Sequence, residues 1–316
     1  MRRTATRACT VPEDITVFER GWLSANCVLL TGPHGATLVD TGYASDANAT
    51  QAWLTRALQA QGHTLRRILN THLHSDHCGG NALLQAHMAD LETLVPADNY
   101  TAARAWDEEA LSFRRTGQHC PRFVADGALQ AGDRLTLGSG SWQVLAAPGH
   151  DNAMLMLFEP TRRILISADA LWPNGIGVIF PEIEGVAGFA PMAQTLSLIE
   201  QLQPRLVIPG HGSPFTDVPA ALAAARRRLE HFARHPQRHA HFAAKVLVKF
   251  RLIEWRRIQR SALHDWAQQI PYLRRLHVLE AADAAGPFHT WLDGIIDALV
   301  RAGAATTDSD GWVLDQ

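Results

Sequence analysis

At 316 residues, 47% of them hydrophobic and 19% charged, the chain is long and apolar enough to bury a large core. That excludes a disordered polypeptide and suggests one big domain with a smaller one beside it. The formal net charge of -2 hides an asymmetry: residues 218–316 carry 12 Arg and 2 Lys against 10 Asp and Glu, or +4, which leaves -6 for the preceding 217 residues. A spread of that size reads as a solvated surface and gives no reason by itself to expect a nucleic-acid partner.

The opening stretch, MRRTATRACTVPED, begins with positive charge but runs into Pro12, Glu13 and Asp14 without an apolar segment fit for a signal or a membrane span. The expectation is a cytoplasmic protein with no membrane association. Short apolar runs bounded by Gly, Pro, Asp or Asn then predict strands: ITVFER, NCVLLTG, GATLVDTG, RRILNTH, LETLVPA, DRLTLG, SWQVLAAPGH, NAMLMLFE, RRILISAD and RLVIPGHG. Helices are predicted at 46–61, where Trp53, Leu54 and Leu58 share a face and Gly62 is the stop, and at 192–203, ahead of Pro204. Strand groups broken by single helices predict a mixed α/β layered sandwich.

After residue 217 the β-branched runs vanish, and PAALAAARRRLEHFAR, AAKVLVKFRLIEWRRI and FHTWLDGIIDALVRAG predict helices. The ending GAATTDSDGWVLDQ reads as a hairpin, which makes the tail a small, mostly helical, winged-helix-like unit. The expected division is therefore 1–217 and 218–316, with Pro214 and Pro219 flanking the join. His231, His235, His239 and His241, on an Arg-rich segment, read as a solvated face. Cys9, Cys27, Cys78 and Cys120 have no paired spacing, so no structural disulfide and no cysteine-based zinc ribbon is expected.

The polar signals sit where predicted strands end: Asp40, His72, His150, Asp169 and His211 each follow an apolar run. Strand ends that deliver Asp or His repeatedly are expected to converge on one site held by a rigid scaffold. The stretch THLHSDHCGG adds His74, Asp76 and His77 within a few positions of His72, close enough on a loop to serve two ions at once. A structural zinc site closes with four ligands, often cysteines, whereas seven nitrogen and oxygen ligands favour a centre that keeps room for water and substrate. Cys78, next to Gly79 and Gly80, reads as packing rather than as a nucleophile. In ALWPNGIGVIFPEIEG, Trp172 and Phe180 suit a substrate-facing loop, while a core strand explains Val178, Ile179 and Phe180 equally well.

On these motifs the sequence resembles the metallo-beta-lactamase superfamily of metal-dependent hydrolases over about residues 15–215. The H-x-H-x-D-H signature matches His72, His74, Asp76 and His77, and the later ligands match His150 in PGH, Asp169 in SAD and His211 in PGHG. The resemblance implies a four-layer αββα sandwich. It also implies His72, His74 and His150 on one divalent metal, Asp76, His77 and His211 on a second, and Asp169 between them. By the same resemblance Asp40 in LVDTG supports the ligand loop from behind, and the ions are zinc, with iron or manganese as alternatives.

The implied chemistry is hydrolysis by a hydroxide formed between two metals, with Asp76 as the catalytic carboxylate that orients it and takes its proton. Within the superfamily the pattern looks like the glyoxalase II-like group, which hydrolyses thioesters, esters or lactones, although Asp151 and Asn152 stand where many thioesterases have Thr or Ser. Two alternatives stay open. One is an endoribonuclease or phosphodiesterase, suggested by the basic tail with Trp255 and Trp266; the other is a metal-binding regulator with weak hydrolase activity. The tail either covers an edge of the catalytic domain or builds a homodimer interface, and loops 100–123 and 171–190 are expected to shape the pocket.

Overall fold

The computed structural model describes residues 10–88, 90–280 and 286–316, so Cys9 lies outside the described residues. The chain opens with β1 (Ile15–Phe18), β2 (Cys27–Gly32), β3 (Gly35–Val39), α1 (Ala47–Gln61), β4 (Leu65–Leu69), α2 (Ser75–Cys78) and α3 (Asn81–His87). It continues with β5 (Glu92–Pro96), α4 (Ala97–Ala105), α5 (Phe113–Thr116) and β6 (Gly127–Leu129). These strands form one sheet in sequence order, antiparallel from β1 to β3 and parallel from β3 to β6. Parallel neighbours need a crossover, and α1 and α3 supply two of them. Helix α1 ends as its composition predicts, with Gly62 in the left-handed conformation.

The second sheet is built from β7 (Arg134–Leu137), β8 (Gly140–Ala146), β9 (Leu155–Glu159) and β10 (Ile164–Ala168), followed by α6 (Phe180–Glu184), α7 (Phe189–Leu202) and β11 (Leu206–Pro209). Its order is β11-β10-β9-β8-β7, antiparallel except for the β10–β11 pair. Leu30, Val39, Leu69, Trp142, Val144, Leu157 and Ile208 fill the space between the sheets. Leu54, Leu58 and Leu84 pack the outer face of the first sheet under α1 and α3, and Met192, Leu196 and Ile199 of α7 pack that of the second. The result is the four-layer αββα sandwich. Strands β3, β4, β8, β10 and β11 all finish at the edge of this sandwich that carries the polar residues.

The tail comprises α8 (Val218–Arg234), α9 (Pro236–Trp255), β12 (Arg257–Gln259), α10 (Arg260–Gln269), α11 (Pro271–Glu280), α12 (Phe288–Arg301), β13 (Ala305–Thr307) and β14 (Trp312–Asp315). The terminal hairpin is present, and β12 joins it to make a three-stranded antiparallel sheet in the order β12-β14-β13. Helix α8 turns Ala221, Leu222, Ala225 and Leu229 into the outer layer of the sandwich, while α9 to α12 enclose a core of their own around Leu247, Leu273, Leu292 and Ile296. Among the described residues no helix is long and apolar enough to cross a membrane.

Three readings need correction. No strand covers Val178 to Phe180: this stretch is a loop that enters α6, with Val178 and Ile179 buried. Elements α2, α4, α5, α6, β6, β12, α10 and α11 were not expected, α2 falling where a loop was; all have ten residues or fewer, and their stability comes from pairing and packing rather than from local pattern. His239 is not on a solvated face; it is 3% exposed, packed by Phe189 and Phe232, whereas His231 and His235 are exposed. The ring lies on the inner side of α9, and its partner is 60 residues away, where helical spacing gives no hint of it.

Candidate metal centre

All seven polar residues singled out in the sequence meet at the strand ends. One atom from each of His72, His74 and His150 lies within 4.8 Å of the others, and the same holds for Asp76, His77 and His211 and for His72, His77 and Asp169. Asp169 stands between the groups: its Oδ2 is 3.4 Å from His150 Nε2 and 3.7 Å from His211 Nε2, and its Oδ1 is 3.5 Å from His77 Nε2. His72 Nε2 and His150 Nε2 approach His74 Nδ1 at 3.1 Å and 2.9 Å.

The outward nitrogens are fixed one by one. His77 Nδ1–H donates to Asp40 Oδ2 at 2.7 Å, His150 Nδ1–H donates to the Val178 carbonyl at 2.7 Å, and His72 Nδ1–H donates to Thr71 Oγ1 at 3.1 Å. Thr71 in turn donates through its N–H and its hydroxyl to Asp40. Each of these bonds selects the tautomer that turns the Nε2 lone pair inward, the usual arrangement behind metal-ligating histidines. Asp40, at φ 57°, adopts a left-handed conformation that Asp tolerates, and its side chain serves both Thr71 and His77. His74 is turned the other way, with Nδ1 inward and Nε2 3.6 Å from Asp151.

Local backbone makes this crowding feasible. A Cβ at Gly210 would lie 2.1 Å from Asp169 Oδ1, so only glycine lets the β11 end approach the carboxylate. At Gly79, behind α2, a Cβ would come within 2.5 Å of the Ala44 nitrogen.

Electrostatics follow from burial and from these partners. Burial, the largest influence, holds His74 and His150 down to about 4 and His72 well below its usual range. Burial pushes Asp169 and Asp76 up, but facing imidazoles outweigh it, His211 and His77 chief among them, and both carboxyls end below their usual range. His77 is the exception: burial lowers it, yet Asp40, Asp169 and Asp76 raise it well above its ordinary value. Its Nε2 is buried and has no hydrogen-bond partner among the described residues.

The donor set therefore fits divalent cations. Imidazole nitrogens and ionised carboxylates point at common points, no Lys or Arg among the described residues pairs with Asp40, Asp76 or Asp169, and an orphaned buried nitrogen faces carboxylates. Ligands of nitrogen and oxygen alone suit zinc, iron or manganese.

Above this floor the cavity is walled by Trp22, Trp172, Phe180 and, from α9, Phe242, Val246 and Phe250. Thr116, at the end of α5, and Gln118, from the first of the two segments expected to shape the pocket, also line it, and Trp172, Gly177, Val178 and Phe180 come from the second. Trp22 stacks on His211 with ring centroids 6.0 Å apart. Sequence reasoning missed Thr71, whose place beside His72 was the available signal, and missed Trp22 and the α9 residues, for which neither a lone turn residue nor a helical pattern offered one. Cys78 is buried, with its Sγ 3.3 Å from the His74 carbonyl and 3.7 Å from Cys120 Sγ.

One peptide group joins this centre to the tail. The Val178 carbonyl accepts from His150, and the N–H of the same peptide, on Ile179, donates to His239 Nε2 at 3.0 Å. Burial holds His239 down to about 4, so that ring stays a neutral acceptor.

Compared with known proteins, residues 20–211 match the description of the metallo-beta-lactamase superfamily, more than half of the chain. The chain belongs to the metallo-beta-lactamase superfamily. Among curated superfamily relatives, it is similar to the acyl-coenzyme A thioesterase MBLAC2 of Homo sapiens, 26% identical over 206 residues that cover 60% of this chain and 74% of that protein. It is also similar to a hydroxyacylglutathione hydrolase of Synechococcus sp., 33% identical over 153 residues covering 46% of this chain and 49% of that one, so it spans about half of that relative. A metallo-beta-lactamase family protein from Thermus thermophilus shares the fold with a TM-score of 0.53 at 20% identity, over 96% of this chain and 98% of its own.

Proposed function

We propose that this superfamily member is a metal-dependent hydrolase that cleaves thioesters, with esters and lactones as related substrates. The observation that carries the reading is Asp169 between two groups of inward-facing imidazoles, each group held by partners of its own. His72, His74 and His150 would hold one cation, Asp76, His77 and His211 a second, and Asp169 would touch both. Zinc is the ion we favour, and the thioesterase and hydroxyacylglutathione hydrolase relatives support the substrate class.

When bound, such a pair of ions lowers the pKa of water and stabilises charge that develops on a carbonyl oxygen. The chain's own residues do the rest. Asp76, whose side chain keeps 13% exposure to the cavity, orients the attacking water and accepts its proton. Asp40 and Thr71 hold the ligand loop in register, so little reorganisation is needed as charge develops. Trp22, Trp172 and Phe180 exclude bulk water from the reacting carbonyl.

The division at 217 and the winged-helix-like character of the tail belong to this proposal; packing crosses the division, because α8 sits in the outer layer of the sandwich. A reducing, cytoplasmic setting is supported by Cys27, Cys78 and Cys120, which are free thiols. Phosphodiester cleavage is disfavoured: phosphate contacts call for Arg and Lys, and neither is among the residues that line the cavity, whose α9 wall is apolar. The test is turnover of thioesters, aryl esters, lactones and short RNA by zinc- or manganese-loaded protein, with Asp169→Ala in parallel. Carbonyl turnover lost in the variant upholds the reading; cleavage of RNA alone refutes it.

A further inference from the structure

Helix α9 is apolar on two sides. Ala243, Ala244, Leu247, Val248 and Leu252 pack into the tail's core, and a second stripe at helical spacing, Phe242, Val246, Phe250 and Ile253, borders a groove; Phe242 and Val246 rest against that core at its edge, and Phe250 and Ile253 against Leu23 and Tyr43. That stripe spans about 16 Å of helix. It lines a groove of about 380 Å³ together with Trp22, Leu299, Ala302 and Ala304. Eight of the ten residues that line it are apolar. Of the two lysines, Lys249 commits its ammonium to Asp315 and to the Ala304 and Gln316 carbonyls, which leaves its stem to the groove.

The groove is continuous with the metal centre. Trp22, Phe242, Val246 and Phe250 line both it and the cavity that holds His74, Asp76, His150 and Asp169. Trp22 also borders a third cavity, of about 490 Å³, whose lining is mixed and more polar than the groove's: Arg20, Asn174, Ser213 and Arg228 stand beside Trp172 and Pro173. Arg228 donates to the Ile176 carbonyl and makes no ion pair among the described residues. A carbonyl at the metal centre thus has an apolar exit along α9 and a polar exit past Arg228.

We propose that the groove along α9 is an acyl-chain site, and that the substrates are thioesters of unbranched, medium to long acyl groups. This rests on the hydrolase reading above and names its substrate class. Lys245 is the one polar group of the lining with no hydrogen bond or ion pair among the described residues; the rest is apolar or, like Lys249, already committed, and each methylene buried along it gains transfer free energy. The thiol portion, with its polar groups, leaves past Arg228. Water in the groove would otherwise face Trp22, which is 62% exposed.

The test uses the full-length, zinc-loaded protein and N-acetylcysteamine thioesters from acetyl to decanoyl. The expected kcat/KM rises with chain length, by up to about fourfold per methylene, until the groove is filled. Ala302→Trp, at an exposed residue of the groove's lining, is expected to lower the decanoyl-to-acetyl ratio of kcat/KM by about tenfold or more, the equivalent of some two buried methylenes. A second readout does not need turnover: S-decyl-N-acetylcysteamine, a thioether that cannot be hydrolysed, titrated by tryptophan fluorescence against its S-ethyl counterpart. Tighter binding of the decyl compound, weakened by Ala302→Trp, upholds the groove even where no thioester is cleaved. Chain-length-independent kcat/KM and equal thioether affinities overturn it while leaving the hydrolase reading intact. No decyl binding, together with a dimer that Ala302→Trp dissociates in sedimentation, would give the stripe to a second copy of the chain and likewise overturn the proposal.

Discussion

The cavity has two walls built on opposite principles. On the sandwich side polar atoms are committed to one another: Asp40 serves Thr71 and His77, Val178 serves His150, and Asp169 lies within 4 Å of three imidazoles. On the tail side Phe242, Val246 and Phe250 make contact by shape alone. The first wall tolerates almost no change of atom, because a buried charge or imidazole that loses its partner costs its full desolvation. The second tolerates exchange of one apolar side chain for another of similar volume. On the proposed reading, reaction chemistry is lodged in the rigid wall, and choice of substrate is left to the permissive one.

Substitutions along the polar wall should separate the two most sharply. Asp169→Ala is expected to reduce kcat/KM by on the order of 10²–10³-fold or more and to lower the bound metal per chain, measured by elemental analysis beside steady-state kinetics. Near-normal activity would sink the two-ion reading. Asp40→Asn keeps the shape but loses the charge behind His77, and metal affinity or activity should fall by about 10–100-fold in a chelator competition assay.

The link between the walls can be read through pH. His239 titrates at about 4 in the folded protein against 6.5 when unperturbed, so the unfolded chain binds the extra proton first. Its contribution to stability is complete above pH 6.5 and is lost progressively as pH falls towards 4, about 2 kcal/mol between pH 7 and pH 5. His239→Gln, which keeps an acceptor but does not titrate, should therefore flatten urea-unfolding stability over that window by about that amount; an unchanged pH dependence would remove His239 from the account. The smallest effect is expected on the exposed part of the same segment, where His231→Ala should stay within about 0.5 kcal/mol of the parent.

Legibility in the sequence divides along the same line. The seven clustered side chains and Asp40 stood out because ligand chemistry demands particular residue types at strand ends, and most of the sandwich strands announced themselves by short apolar runs closed by Gly, Pro or Asp. Thr71 acts through a hydroxyl that any threonine carries, and the Val178 carbonyl through a group that every residue has, so neither leaves a mark in composition. The stripe on α9 was visible only as helical periodicity, which is the same whether the face meets a core or a cavity. His239 was misread because its neighbours in sequence are Arg and His, while its neighbours in space are Ile179, Phe189 and Phe232.

The peptide between Val178 and Ile179 carries a consequence for how the two halves behave together. It accepts from His150 on one side and donates to His239 on the other, so a polarisation set up at either end strengthens the bond at the opposite end. Whatever free energy the tail contributes to keeping His150 in place, an ion that fixes His150 returns to the tail in equal measure, because linkage is reciprocal. If the proposed ions are bound, chelation should then loosen helix α9, and loosening α9 should weaken the hold on them, so that the tail would be a partner in metal retention rather than an appendage.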